Sequence, residues 1–392
     1  MKFNPYFPGA GVIPYFLSGR DSEIKVFQEQ LSKVAYGFPP RPIVLYGLRG
    51  VGKTSLLLKL KNLANEQKWM SPLIEGTPNR GIRDLLSDEL NEYLLEFARP
   101  DMKSKVIDTA LKTASLFRTN LDQSGNWSFG VDLSNVYGSN AASGNIENDL
   151  FKVMRDTSLL AKNQKVGLAL FIDEAQELSK EDLGAVSTLA HKVGQERLPI
   201  LIVLAGLPSL PKVLAESKSY AERLYQYFTI DRLDDDQAKD ALIKPALAQD
   251  VSFMKDATEA VVKRTGGYPY FIQEYGFHIW EEFSDSSPIT LSMVEVAEKS
   301  TIATLDQGFF RSRWDRASQG QKEFLKKMAM DENFSLMSDI ALRLGKASSS
   351  ISPVRAELIK KGLIYQVAPG KVGFTVPRMN YFINRQTLDS EE

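Results

Sequence analysis

Short, mostly apolar runs alternate with longer stretches of helical periodicity through the first 230 residues. The short runs cover 42–46, 72–75, 166–174, 198–205 and 226–230. Brief runs bounded by turn residues predict strands buried on both faces of a parallel sheet. Between them, Ile24, Phe27, Leu31 and Val34 fall at helical spacing, as do Leu56, Leu57, Leu60 and Leu63. Ile82, Leu85, Leu86, Leu90, Tyr93 and Leu94 do the same over 81–97, and 147–162 and 180–195 also read as helices. This alternation predicts an α/β fold. One stretch breaks the rhythm. After a helical pattern over 101–117, Trp127, Phe129, Val131 and Leu133 alternate with small or polar residues, the period of a hairpin. A Ser-, Asn- and Gly-rich loop follows over 134–145. This β insertion, near 119–145, is either a partner contact or a tolerated surface excursion.

From 235 onward the pattern is helical alone, over 237–247, 255–264, 269–283 and 291–304. Gly266 and Gly267 end the second of these and Pro269 opens the third, which is either ordinary helix punctuation or a corner, 265–270, through which Gly267 and Pro269 press on a bound nucleotide and report its state. Past 316 come helices at 322–330, 338–345 and 348–361, then two strands about a Pro369-Gly370 turn. Three helices and a hairpin form the winged-helix pattern. Three domains are expected: 1–234, including an aromatic, Pro-rich arm over 3–16; an all-α domain over 235–315; and the winged helix over 316–392.

The chemistry enters at Gly47-Leu48-Arg49-Gly50-Val51-Gly52-Lys53-Thr54, which fits G-x-x-x-x-G-K-[ST] between a predicted strand and a predicted helix opening at Ser55. Backbone N–H groups there point at phosphate, and the helix N-terminus favours negative charge. Lys53 is expected to reach the β- and γ-phosphates and Thr54 to ligate Mg²⁺. The third strand ends in Asp173-Glu174, at the sheet edge where α/β folds place ligands. Asp173 is expected to orient Mg²⁺ through its water shell, and Glu174 to act as general base toward water. Arg223, just before the last strand, is either a finger reaching a neighbouring subunit's γ-phosphate or a surface charge. Ser209, after the fourth strand, is the one side chain there suited to sense a γ-phosphate, with plain chain reversal at 206–209 as the alternative. Arg20, in a Gly-Arg-Asp turn, is expected to border the nucleotide base.

Composition narrows the rest. A net charge of −1 over 392 residues does not advertise nucleic acid, but 317–386 carries eleven Lys/Arg against five Asp/Glu. Arg343, Lys346, Arg355, Lys360, Lys361 and Lys371 are the candidate phosphate contacts, with the helix that starts at Ser348 as groove reader. Packing against protein alone is the other use of such a domain. The absence of Cys excludes thiolate chemistry and disulfides. His191 and His278, the two histidines, lack ligand spacing and read as surface or packed residues. Neither a signal peptide nor a membrane span is expected, which points to the cytoplasm.

With these motifs in place the chain resembles the AAA+ ATPases, nearest the origin-recognition and STAND-type group. Gly47–Thr54 matches Walker A and Asp173-Glu174 ends Walker B. AAA+ proteins usually carry an Arg at the start of the third lid helix. Here Gly267-Tyr268-Pro269 stands there, similar to the Gly-x-Pro signature of STAND proteins. The resemblance implies a P-loop parallel-sheet sandwich, a helical lid and a winged helix. It also implies ATP and ADP with Mg²⁺, slow hydrolysis by Glu174, and a nucleotide-dependent homo-oligomer. Output would go to double-stranded DNA or to a protein partner. A nucleotide-dependent protein scaffold is the alternative, and phosphate transfer to a small acceptor leaves the lid and winged helix without a role.

Overall fold

The computed structural model describes residues 3–97, 110, 113–114, 145–163, 166–283 and 285–388. The insertion expected near 119–145 and most of the helix expected over 101–117 lie outside the described residues. The chain divides into two compact units.

The first unit holds residues 20–46 and 53–229. Its centre is a five-stranded parallel sheet in the order β2-β3-β4-β1-β5, made of β1 Ile43–Tyr46, β2 Leu73–Glu75, β3 Leu168–Asp173, β4 Ile200–Gly206 and β5 Gln226–Thr229. Every residue of β3 and β4 is buried. That is why these two runs lack the alternation of a half-solvated strand. Register is set by β-branched and Leu pairs, with Val44 and Ile172 both opposite Leu204. Helices α1 (Asp21–Ala35), α2 (Lys53–Glu66), α3 (Ile82–Phe97), α4 (Ile146–Asn163) and α5 (Lys180–Glu196) flank the strands in the chain. Their apolar faces, Leu86 and Leu90, Val153 and Met154, and Val186 and Leu189 among them, join one core with the sheet. A buried ion pair, Arg83 to Asp149 at 2.7 Å, ties α3 to α4. Two short helices, α6 (Leu210–Ser217) and α7 (Ala221–Leu224), complete the unit.

The second unit holds residues 1–19, 47–52 and 230–392. Helices α8 (Asp235–Leu247), α9 (Lys255–Thr265), α10 (Pro269–Phe283) and α11 (Leu291–Thr304) surround a core of Leu242, Val261, Ile272, Ile279 and Val294. The N-terminal arm belongs to that core. Tyr6 is fully buried, its ring meets Trp280 edge-on, and its hydroxyl donates to the Leu242 carbonyl. Phe7 N–H donates to Gln273.

A π-helical turn over Leu305–Phe310 and α12 (Arg311–Trp314) lead into the C-terminal part. Two consecutive aromatics, Phe309 and Phe310, are both buried there. Phe309 stacks on Tyr270 and Phe310 stacks on Phe382. There follow α13 (Gln319–Met328), β6 (Ser335–Leu336), α14 (Met337–Leu344), α15 (Ser348–Lys360), β7 (Ile364–Ala368), β8 (Lys371–Phe374) and α16 (Met379–Leu388). The sheet is antiparallel, in the order β6-β8-β7. β6 and α16 were not expected from the sequence: a two-residue strand has no period, and α16 follows a hairpin that closed the pattern. Phe271 of α10 packs in the same core as Phe324, Ile340 and Phe382, so the helical and C-terminal parts share apolar interior.

Because Tyr6 fills interior, Tyr6→Ala is expected to cost about 3–5 kcal/mol in chemical denaturation. Tyr6→Phe, which removes only the hydroxyl, is expected to cost about 1 kcal/mol. Equal stability of Tyr6→Ala and wild type would show the arm to be dispensable.

Candidate active site

Loop 47–52 follows β1 in the chain and precedes α2. Gly50 and Gly52 have φ of +79° and +87°, a conformation that costs a residue with a side chain about 1–2 kcal/mol. A Cβ at Gly52 would meet nothing within 4 Å, so its Cα faces open space. Gly47 is constrained differently: a Cβ there would stand 1.9 Å from the Ile230 carbonyl oxygen. Val51 is fully buried and pins the loop. Two backbone hydrogen bonds hold its outer turn. Tyr270 N–H donates to the Gly50 carbonyl at 3.1 Å, and Arg49 N–H donates to the Thr375 carbonyl at 3.0 Å. Leu48, Arg49 and Gly50 are half-buried.

Both holders are themselves held. Tyr270 lies one residue into α10, its ring 4.7 Å from Phe309 and its hydroxyl donating to Glu274 at 2.8 Å. Burial raises the Glu274 carboxyl above the ordinary range, with the tyrosine bond working the other way. Gly267, just upstream, accepts from Leu233 N–H at 2.9 Å, and Pro269 is the first residue of α10. Thr375 follows β8 and is buried, and its hydroxyl donates to the Gly362 carbonyl at 2.6 Å.

In the first unit, Lys53, Thr54 and Ser55 form the first turn of α2, with Lys53 buried. Thr54 Oγ1 donates to Asp173 Oδ2 at 2.6 Å, and Asp173 Oδ1 accepts Glu174 N–H at 2.8 Å. The Asp173 carbonyl accepts Gly76 N–H at 2.9 Å, which anchors the end of β3 to the segment after β2. Desolvation pushes the Asp173 carboxyl above its ordinary pKa, against the lowering effect of Thr54, the Glu174 N–H and Lys53. Glu174 itself sits in the left-handed region, φ 43° and ψ 40°, uncommon for a residue with a side chain and most often seen where function requires it.

This donor set fits Mg²⁺ delivered with phosphate. A hydroxyl and a buried carboxylate within hydrogen-bond distance are what a mostly hydrated Mg²⁺ uses alongside phosphate oxygens. Among the described residues no group of three or more His, Cys, Asp or Glu is placed to hold a metal by itself. His191 packs on Tyr220, and His278 lies beside Glu274 on α10.

The other expected residues divide. Arg20 is buried at the start of α1. Arg223 is exposed on α7. Ser209 sits at the N-terminus of α6, where its carbonyl accepts Val213 N–H. Of the basic residues proposed for phosphate contact, Arg343 makes a two-pronged ion pair with Asp331 and also bonds the Lys327 carbonyl. Lys361 is bonded to the Arg316 carbonyl and Gln321. These two are engaged in holding α14 and α15 to α13. Lys371 lies over the Phe334 ring, Arg355 is half-buried, and Lys346 and Lys360 are exposed.

Three residues at the site escaped the sequence reading. Tyr270 and Thr375 act through backbone atoms, which no residue type announces. Gln176 was legible in principle, as a polar residue two places after the acidic pair. Its amide bridges Glu174 and Leu207 N–H.

The raised Asp173 pKa carries a sign. A carboxyl with a folded pKa above its unfolded value costs stability at neutral pH, and the cost disappears below the unfolded pKa of about 3.9. Asp173→Asn is therefore expected to melt higher than wild type at pH 7 without nucleotide, with the gap closing toward pH 3.5. A lower melting temperature at pH 7 would show that the charge is compensated.

Residues 17–203 match the family model described as AAA ATPase domain, and residues 307–383 match a model described as a domain of unknown function. No curated protein matches the chain. The fold is similar to that of a Walker-type ATPase of Pyrococcus abyssi, with a TM-score of 0.60 and 19% identity over 94% of this chain and 96% of that one. Weaker likenesses are Cdc6p of Pyrobaculum aerophilum (TM-score 0.48, 14% identity, 98% of this chain and 97% of that one) and the Holliday junction branch migration motor RuvB of Thermotoga maritima (0.45, 15%, 93% and 96%). Among the described residues, no helix is long and apolar enough to cross a membrane. The match to the AAA ATPase domain model spans β1, the Gly47–Thr54 loop and the end of β3.

Proposed function

We propose that this chain is a slow ATPase switch, in which the phosphate loop reads the nucleotide and residues 230–392 carry the response. The observation that carries the reading is the pair of backbone bonds from Tyr270 and Thr375 to the loop's outer turn. A phosphate loop serving catalysis alone has no need of a bond from a residue more than 300 positions downstream. Such a bond links the loop backbone to the C-terminal part, a connection that a switch would use, and this supports the reading.

In this reading Ser55 and loop 47–52, apart from the Arg49 N–H given to Thr375, offer N–H groups to phosphate, Lys53 pairs with the β- and γ-phosphates, and Thr54 with Asp173 holds Mg²⁺. Bound Mg²⁺ supplies neutralisation of phosphate charge. Glu174 takes a proton from the attacking water. Arg20 lies toward the base, and the Gly267–Pro269 corner transmits the state of the nucleotide. Arg223, exposed, serves a neighbouring subunit in a homo-oligomer. The C-terminal part acts as a winged helix on duplex DNA, through exposed Lys346 and Lys360 and the exposed Ser348–Ser350 start of α15.

A second reading, in which the partner is a protein, is favoured by one feature. Leu342 is 82% exposed on α14, with Met330, Phe334 and Leu336 also exposed in the same part of the chain. Exposed apolar groups of this size mark protein contacts when they cluster.

Lys53→Ala is expected to weaken ATP binding by about 100-fold, which corresponds to ~3 kcal/mol for a lost charge-assisted contact. Glu174→Gln is expected to bind ATP normally and to lose hydrolysis. Duplex affinity measured against salt, with ADP and with a non-hydrolysable ATP analogue, separates the two partners. The DNA reading requires a salt slope that weakens in Lys346/Lys360→Ala and an affinity that depends on the nucleotide. A flat slope assigns the surface to protein.

A further inference from the structure

We propose that Gln176 is a positioning residue for the Glu174 carboxylate, tying the general base to the end of strand β4. The inference rests on the reading of Glu174 as base. Gln176 Oε1 accepts Leu207 N–H at 2.8 Å, and Nε2 donates to Glu174 Oε2. The first bond fixes the second. A backbone N–H only donates, so the amide oxygen must face Leu207 and the NH₂ group must face the carboxylate. Glutamine thereby matches a donor on one side and an anion on the other, which neither Glu nor Lys does.

The surroundings are shaped for this bridge. Glu174 and Gln176 belong to one tight turn, closed by Glu177 N–H donating to the Glu174 carbonyl at 2.9 Å. Glu174 enters the turn in a left-handed conformation, with the buried Ala175 next in sequence. On the opposite side, a Cβ at Gly206 would stand 2.4 Å from Gln176 Oε1 and 2.9 Å from Leu210 Cδ2. The last residue of β4 is thus a glycine where the amide needs the space. β4 lies between β3, which ends in Asp173, and β1, which leads into the phosphate loop. A shift at Gly206–Leu207 therefore reaches the base carboxylate through one side chain. Gln176 takes at the end of β4 the coupling part that the sequence had offered to Ser209.

Four measurements test this on the full chain. Gln176→Ala and Gln176→Glu are expected to lower kcat about tenfold while the Kd for ATP stays within about twofold, since a positioned base contributes on the order of 10²–10⁴ in rate. Amide exchange at Leu207, which needs no turnover, is expected to accelerate in Gln176→Ala. Gly206→Ala, whose Cβ would crowd Gln176 Oε1 and Leu210 Cδ2 while leaving the Gln176 and Glu174 side chains in place, is expected to reproduce the loss. The Gly206→Ala/Gln176→Ala double variant is expected to be no slower than the worse single one, because both remove one coupling. Wild-type kcat in Gln176→Ala, unchanged protection at Leu207, fully multiplicative losses, or a matching loss of ATP affinity would each overturn the proposal. Glu174→Gln separates the two levels. If it still hydrolyses ATP, the base assignment falls and takes this inference with it. If it is inactive while Gln176→Ala is not impaired, only the positioning role falls.

Discussion

The conformation of loop 47–52 is the constraint on which the site depends. A loop that presents N–H groups to phosphate cannot spend them on regular secondary structure, so something else must fix its backbone. Here the fixing groups come from far downstream: the Tyr270 N–H, the Thr375 carbonyl and the Ile230 carbonyl against which Gly47 packs. The loop's shape is therefore conditional on residues 230–392 being folded against it. Each backbone bond contributes on the order of 1 kcal/mol net. Two together come to about 2 kcal/mol, within the ~1–3 kcal/mol range of typical coupling between sites.

The same logic explains why the holders are so well supported. A bond of about 1 kcal/mol transmits nothing if its donor is free to drift. Tyr270 is fixed by ring stacking on Phe309, by a hydroxyl bond to Glu274 and by its place at the start of α10 after Pro269. Thr375 is fixed by two bonds of its hydroxyl and one of its N–H to 362–363. Phe271, the next residue after Tyr270, is buried in the core that also holds Phe310 and Phe382. α10 and the C-terminal part thereby share one core.

Much of this was legible in the sequence because burial writes a plain signal. β3 and β4 are buried at every position and appear as unbroken apolar runs. The Gly-rich loop, Lys53, Thr54 and Asp173-Glu174 were legible because the chemistry demands particular side chains at particular spacings. What stayed hidden acts through backbone atoms or through tertiary neighbours. Nothing in the letter for Thr375 announces that its carbonyl meets Arg49. Arg343 and Lys361 looked like phosphate contacts because charge is visible in sequence, whereas their partners Asp331 and Gln321 become visible only when α13, α14 and α15 pack.

The residues at the end of β3 break local rules together, and that concentration has a physical reading. Asp173 is a buried carboxyl that desolvation holds toward its protonated form, and Glu174 is a bulky residue in a left-handed conformation. Either feature alone costs stability, and a sequence selected for stability would remove both. They persist because the surroundings determine them several times over. Thr54 and the Glu174 N–H occupy the two oxygens of Asp173, Gly76 holds its carbonyl, and Gln176 meets the Glu174 carboxylate. In the ATPase reading proposed above, a site arranged this way places charge where phosphate and cation would arrive before either is bound, so less reorganisation would remain for the reaction itself.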